Sequence, residues 1–143
     1  MKIEIKLQDH TKLSAQKNDE VIRRFLQISS EELTTTVKKE TPVDYGKLRG
    51  SWTPKLQSKR LTLTNSRNYA VFVEKGTGIF GPRHHRIFPV SAKVLHFNAG
   101  GQEVFTTNVQ GRPASHMAEK GLEKFRYKIP KIFNTAVHQT LKN

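Results

Sequence analysis

From Leu13 to Glu40 the chain contains neither glycine nor proline, and Val21, Ile22, Phe25, Leu26, Leu33 and Val37 recur at three- and four-residue spacings. That period places them on one face of a helix. A helix this long with one apolar stripe cannot stand alone in water, so the rest of the chain must supply a layer to cover it. The helix has a built-in end. In "ETPVD" the residue before Pro42 is pushed out of the helical region, and Pro42 has no N–H to donate to the preceding turn.

The covering layer reads as strands. In "KIEIKL", Ile3, Ile5 and Leu7 fall on one side and Lys2, Glu4 and Lys6 on the other, the period of a half-buried strand. "RGSWTPKL" and "RLTLTN" flank the polar link "QSK" as a hairpin, with Leu61 and Leu63 alternating with Thr62 and Thr64, and Pro54 argues that the first of these strands lies at an edge or carries a bulge. "KVLHF" and "QEVFTTNV" flank "NAGG" as a second hairpin. The chain then returns to helical spacing from Met117 to Leu141, with Pro130 as a kink or as the start of a second helical piece. The expected fold is α+β, a mainly antiparallel sheet with a long N-terminal helix and a C-terminal helix packed on it. Residues 1–143 are expected to form a single domain.

Charge narrows the partners. The 143 residues hold 25 Lys+Arg against 12 Asp+Glu, a net charge of +13. Residues 1 to 44 balance eight bases with eight acids, whereas residues 45 to 102 hold ten bases and one acid, Glu74. Such an excess points to a polyanion, an acidic protein surface, or both. There is no cysteine, which removes disulfides and thiolate metal sites. No apolar run approaches the ~20 residues needed to span a bilayer, and the charged N-terminus does not resemble an export signal, so a soluble chain without membrane contact is expected.

Catalytic constellations find little support. His84 and His85 are adjacent, and neighbouring side chains on an extended segment diverge, so a shared metal is not expected. Ser51 and Ser66 lack a nucleophile elbow. "GTGIFG" lacks the Lys-Ser/Thr of a phosphate-binding loop, and turn geometry accounts for its glycines. No enzyme activity and no cofactor is expected.

"YAVFVEKGTG" is apolar on both sides, which fits either a central covered strand or a short helical turn packed under the long helix. Gly76 and Gly78 let the backbone turn away sharply. The eighteen residues from 76 to 93 then read as a projecting loop, long enough to be functional. Within it Phe80, Ile87 and Phe88 offer apolar anchors and Arg83, Arg86 and Lys93 offer charge, a combination suited to an interface or to DNA. Glu74 is expected to pair with a nearby Arg or Lys. The wider interleaving of basic residues with Trp52, Tyr69, Phe80 and Phe88 keeps a basic nucleic-acid-binding domain open as the alternative.

Four segments, "TPVDYGKLRGSW", "NYAVFVEKGTG", "RIFPVSAKVLHF" and "GRPASHMAEKGLEK", follow one another across roughly residues 15 to 138 in a way that resembles the neck, or tail-completion, proteins of long-tailed bacteriophages. The residues that carry the resemblance are Pro42, Asp44, Gly46 and Leu48 in the first motif. In the second they are Tyr69, Ala70, Val73, Glu74, Gly76 and Thr77. Tyr45, Lys75 and Ala114–Met117 depart from the family's habit. The resemblance implies a non-enzymatic structural virion protein, made in the host cytoplasm, that takes part in head–tail joining or tail completion. It also implies self-association into a ring, with a hexamer as one stoichiometry. The implied partners are head-closure and tail-terminator proteins, with non-specific contact to genome DNA in the channel.

Overall fold

The computed structural model describes residues 1–6, 14–43 and 46–142; Leu7, Leu13, Asp44 and Tyr45, which carried expectations above, lie outside them. In chain order the elements are β1 (Lys2–Lys6), α1 (Ala15–Glu40), α2 (Lys47–Gly50), β2 (Trp52–Gln57), β3 (Arg60–Asn65), α3 (Ala70–Lys75), β4 (Leu95–Ala99), β5 (Gln102–Thr106), α4 (Met117–Arg126) and α5 (Ile129–Leu141). The architecture is α+β with antiparallel sheets throughout. The chain forms two compact units, Met1–Ala70 with Met117–Asn143, and Val71–His116.

In the first unit α1 is the hub, touching β2 and β3 as well as α4 and α5. This double duty widens its buried surface beyond the apolar stripe. Val21, Phe25, Leu26, Leu33 and Val37 are buried, and so are the small polar residues Ser29, Ser30 and Thr36. Thr36 satisfies its hydroxyl by donating to the Glu32 and Leu33 carbonyls at 2.7 and 3.0 Å. On the helical side, a β-carbon at Gly121 of α4 would come within 2.7 Å of Val37 Cα, so the backbones of α4 and α1 meet almost directly. Pro130 begins the second helical piece, in the first turn of α5, where a missing N–H costs nothing.

The sheet runs in the order β1-β3-β2. Its register puts Ile3 beside Leu63 and Pro54, and Ile5 beside Leu61 and Leu56, on one face. The other face shows three rows: Lys2, Thr64 and Thr53; Glu4, Thr62 and Lys55; Lys6, Arg60 and Gln57. Pro54 sits in an edge strand, where its absent N–H removes a site for stray pairing.

The crossing from α1 to the sheet is tied at one residue. Thr41, just beyond Glu40, donates its hydroxyl to the Val37 carbonyl at 2.7 Å and accepts from Trp52 Nε1 at 2.9 Å, with both side chains buried. Arg49 reaches the Thr41 carbonyl at 3.1 Å, and Asn65 Nδ2 donates to the Leu48 carbonyl at 2.9 Å. Gly46 begins α2 at a φ of 69°, a left-handed conformation that a β-carbon disfavours.

The second unit holds most of α3, a 3-10 turn at Gly78–Phe80 and the β4–β5 hairpin, which turns through Gly100 and Gly101 at φ 61° and 88°. "YAVFV" is helical here, not a strand, and it is not fully covered. Ala70 is buried, but Val71 and Phe72 are exposed. Consecutive apolar residues point around a helix in different directions, so one covered face shelters only part of such a run.

Candidate assembly surface

Residues 76–81 are clasped against residues 109–114. Thr77 N–H donates to the Arg112 carbonyl at 2.9 Å, Ile79 N–H to the Gln110 carbonyl at 2.8 Å, and Arg112 N–H to Thr77 Oγ1 at 2.9 Å. Two glycines permit this approach. Gly78 at φ 63° leaves no room for a β-carbon against the Gln110 carbonyl, and Gly111 at φ 94° leaves none against the Thr77 carbonyl. Gly76, at φ 77°, is walled in by Ala114 N and the Phe80 carbonyl, each 2.9 Å from where a β-carbon would stand. Farther along, Ile87 and Val109 exchange two backbone hydrogen bonds at 2.9 and 3.0 Å, and Arg86 donates to Asn108 Oδ1 at 2.7 Å. Segment 76–93 is therefore stitched at both ends of its apolar stretch to the strand-like return at 108–112.

This frame has no apolar interior. Every buried hydrophobic side chain of the described residues lies in the first unit, and none lies between Val71 and His116. Phe72, Phe80, Ile87, Phe88, Val90, Val94, Phe97 and Phe105 are all exposed there. Val90 is completely so, and Phe105 stacks flat on His96 with ring centres 4.4 Å apart. A two-stranded hairpin is marginal in water without a covering surface, and a unit this small ordinarily needs staples or partners. Arg83 and Lys93 are exposed among these apolar residues. His84 Nδ1 and His85 Nδ1 face different carbonyls, those of Ile79 and Arg86 at 3.3 and 2.9 Å.

The sequence-derived residues divide by role. Pro42, Gly46 and Leu48 stand at the crossing from α1 to the sheet, where Leu48 is buried. Ala70 is buried at the head of α3, Tyr69 beside it is exposed, and Gly76 and Thr77 form the clasp. The Glu74 carbonyl accepts from His116 N at 3.2 Å. Phe80, Arg83, Arg86, Ile87, Phe88 and Lys93 share the exposed segment. Sequence reading passed over Gly111 and Gln110, the other jaw of the clasp, because only the fold brings them opposite Gly78.

Residues 6–76 match the profile of the HK97-gp10-like family, described as "Bacteriophage HK97-gp10, putative tail-component". Through these residues, just under half of the chain, it is similar to this family of phage tail components. The match takes in α1, the first motif and the second as far as Gly76, where the clasp begins, and leaves Thr77 and the two later segments outside it. No curated protein and no solved structure gives a significant match to the chain. The likeness indicates a structural protein of the tail-component type. Among the described residues, no helix is long and apolar enough to cross a membrane.

Proposed function

We propose that the chain acts in the phage neck, in head–tail joining or tail completion, by docking into a ring through residues 71–116. The observation that carries this reading is the coreless second unit. Its backbone is ordered by hydrogen bonds and glycine geometry, while most of its large apolar side chains are exposed in a stretch that also carries exposed cations. Exposed apolar side chains interspersed with Arg and Lys suit a protein interface awaiting its partner, and the cations suit acidic surfaces of adjoining rings. The ring is built from copies of this chain, with head-closure and tail-terminator proteins as neighbours.

The test is assembly in phage lysates carrying Arg83→Glu with Arg86→Glu. Filled heads and complete tails should accumulate unjoined, and purified protein mixed with its neighbouring gene products should lose a nuclease-resistant sedimenting assembly. Normal joining by the double variant, or a wild-type chain that stays monomeric with all its neighbours, refutes the reading.

A further inference from the structure

We propose that the outward face of the β1-β3-β2 sheet binds the phosphate backbone of double-stranded nucleic acid without reading its sequence. The charge of the first unit is not spread evenly. Residues 1–6 and 46–69 hold eight bases and one acid, whereas α1 holds five of each. Lys2, Lys6, Lys55 and Arg60 project from the face that the register leaves opposite the Leu61 and Leu63 side, with Glu4 as its one carboxylate. Glu4 bridges three of the cations, lying 2.6 Å from Lys2, 3.2 Å from Lys6 and 3.3 Å from Arg60, and as one acid against four bases it leaves the face positive. Between the cations stand three threonines and a glutamine, hydroxyl and amide donors of the kind that meet phosphate oxygens.

The residues absent from this face choose among polyanions. Its three rows contain no apolar side chain, so an acidic protein would find nothing to bury at the centre of an interface. They contain no aromatic ring either, so unpaired bases would find nothing to stack on. A duplex asks only for cations and donors on an accessible surface. The inference is independent of the neck reading, which rests on residues 71–116.

The experiment compares the full chain with two variants that lose equal charge. One carries Lys2→Gln, Lys6→Gln and Lys55→Gln on the sheet face. The other carries Arg126→Gln, Lys131→Gln and Lys142→Gln, all exposed and on the helical side. Binding to a labelled duplex of about 30 base pairs is followed by fluorescence anisotropy over a salt series. The sheet variant should weaken in affinity by about tenfold or more, and its salt slope should fall by about 3, near 0.9 for each phosphate no longer neutralised. The helical variant should keep the wild-type slope. Equal weakening of both variants would reduce the effect to net charge and overturn the proposal. So would failure of the wild type to bind, tighter binding of a single strand of the same length, or equal binding of polyglutamate. Far-ultraviolet circular dichroism confirms that each variant is folded, and because all six residues are exposed, loss of the fold would itself contradict the placement.

Discussion

Replacing Gly78 with alanine tests whether the clasp is a local device or part of the global fold. The residue sits at φ 63°, where a β-carbon costs about 1–2 kcal/mol. That β-carbon would also overlap the Gln110 carbonyl, and backbone cannot step aside as a flexible side chain can. The segments must part, breaking the Thr77–Arg112 and Ile79–Gln110 backbone bonds and the Arg112–Thr77 Oγ1 bond. At about 0.5–1.5 kcal/mol net for each bond, the strain and the broken bonds sum to roughly 3–6 kcal/mol. Local opening in proteins spans from near zero to the global stability, so this is enough to leave the clasp largely open. Hydrogen exchange read by mass spectrometry should show residues 77–81 and 109–112 exchanging a hundredfold or more faster, since each 1.4 kcal/mol is tenfold. Amides of α1 around Leu33 and Val37, in the unit that holds the buried apolar side chains, should keep their protection. Uniform acceleration across the chain would show that the second unit is integral to the core, and no acceleration would show that the clasp tolerates a side chain. Either result refutes the reasoning.

Three further outcomes follow from the first unit. Hydrogen bonds from Lys2 and Lys6, with Arg60 nearby and desolvation opposing, lower the Glu4 pKa from 4.5 to about 2. Its stabilising contribution is therefore whole above the unfolded value and is lost as pH falls toward 2. Glu4→Gln should be less stable than wild type at neutral pH, the two urea midpoints should converge between about pH 4.5 and 2, and the neutral-pH gap should narrow with salt; a gap constant with pH contradicts this. Thr41→Val leaves the buried Trp52 indole N–H without its acceptor and should cost about 1–3 kcal/mol in chemical denaturation, whereas an unchanged midpoint would mean that the indole finds another partner. Gly121→Ala raises helix propensity yet should destabilise by about 1–3 kcal/mol, because the new methyl meets Val37 backbone; a gain in melting temperature would disprove the close crossing.

The elements whose periods are local were legible in the chain itself. The apolar spacing from Val21 to Val37, the alternation in "KIEIKL" and "RLTLTN", the glycine turn of "NAGG" and the prolines at 42, 54 and 130 each state their geometry within a few residues. The structure follows them in α1, β1, β3, the β4–β5 hairpin and the start of α5. The likeness to the tail-component family was legible for a related reason, because residues 6–76 hold a motif whose proline, glycine and buried leucine set the turn between helix and sheet. "YAVFV" was not legible, since a run apolar at every position has no period to separate strand from helix, and its neighbours had to decide. The burial of Ser29, Ser30 and Thr36 came from α1 being covered on more than one side, a fact about its partners that no stripe of α1 contains. The candidate site divides in the same way. Composition showed that Phe80, Arg83, Arg86 and Phe88 share a stretch, but the clasp of Gly78 on Gln110 pairs residues far apart in sequence. Only tertiary structure could bring those backbones within hydrogen-bonding distance, and only it could show that the apolar side chains of 71–116 have no core of their own.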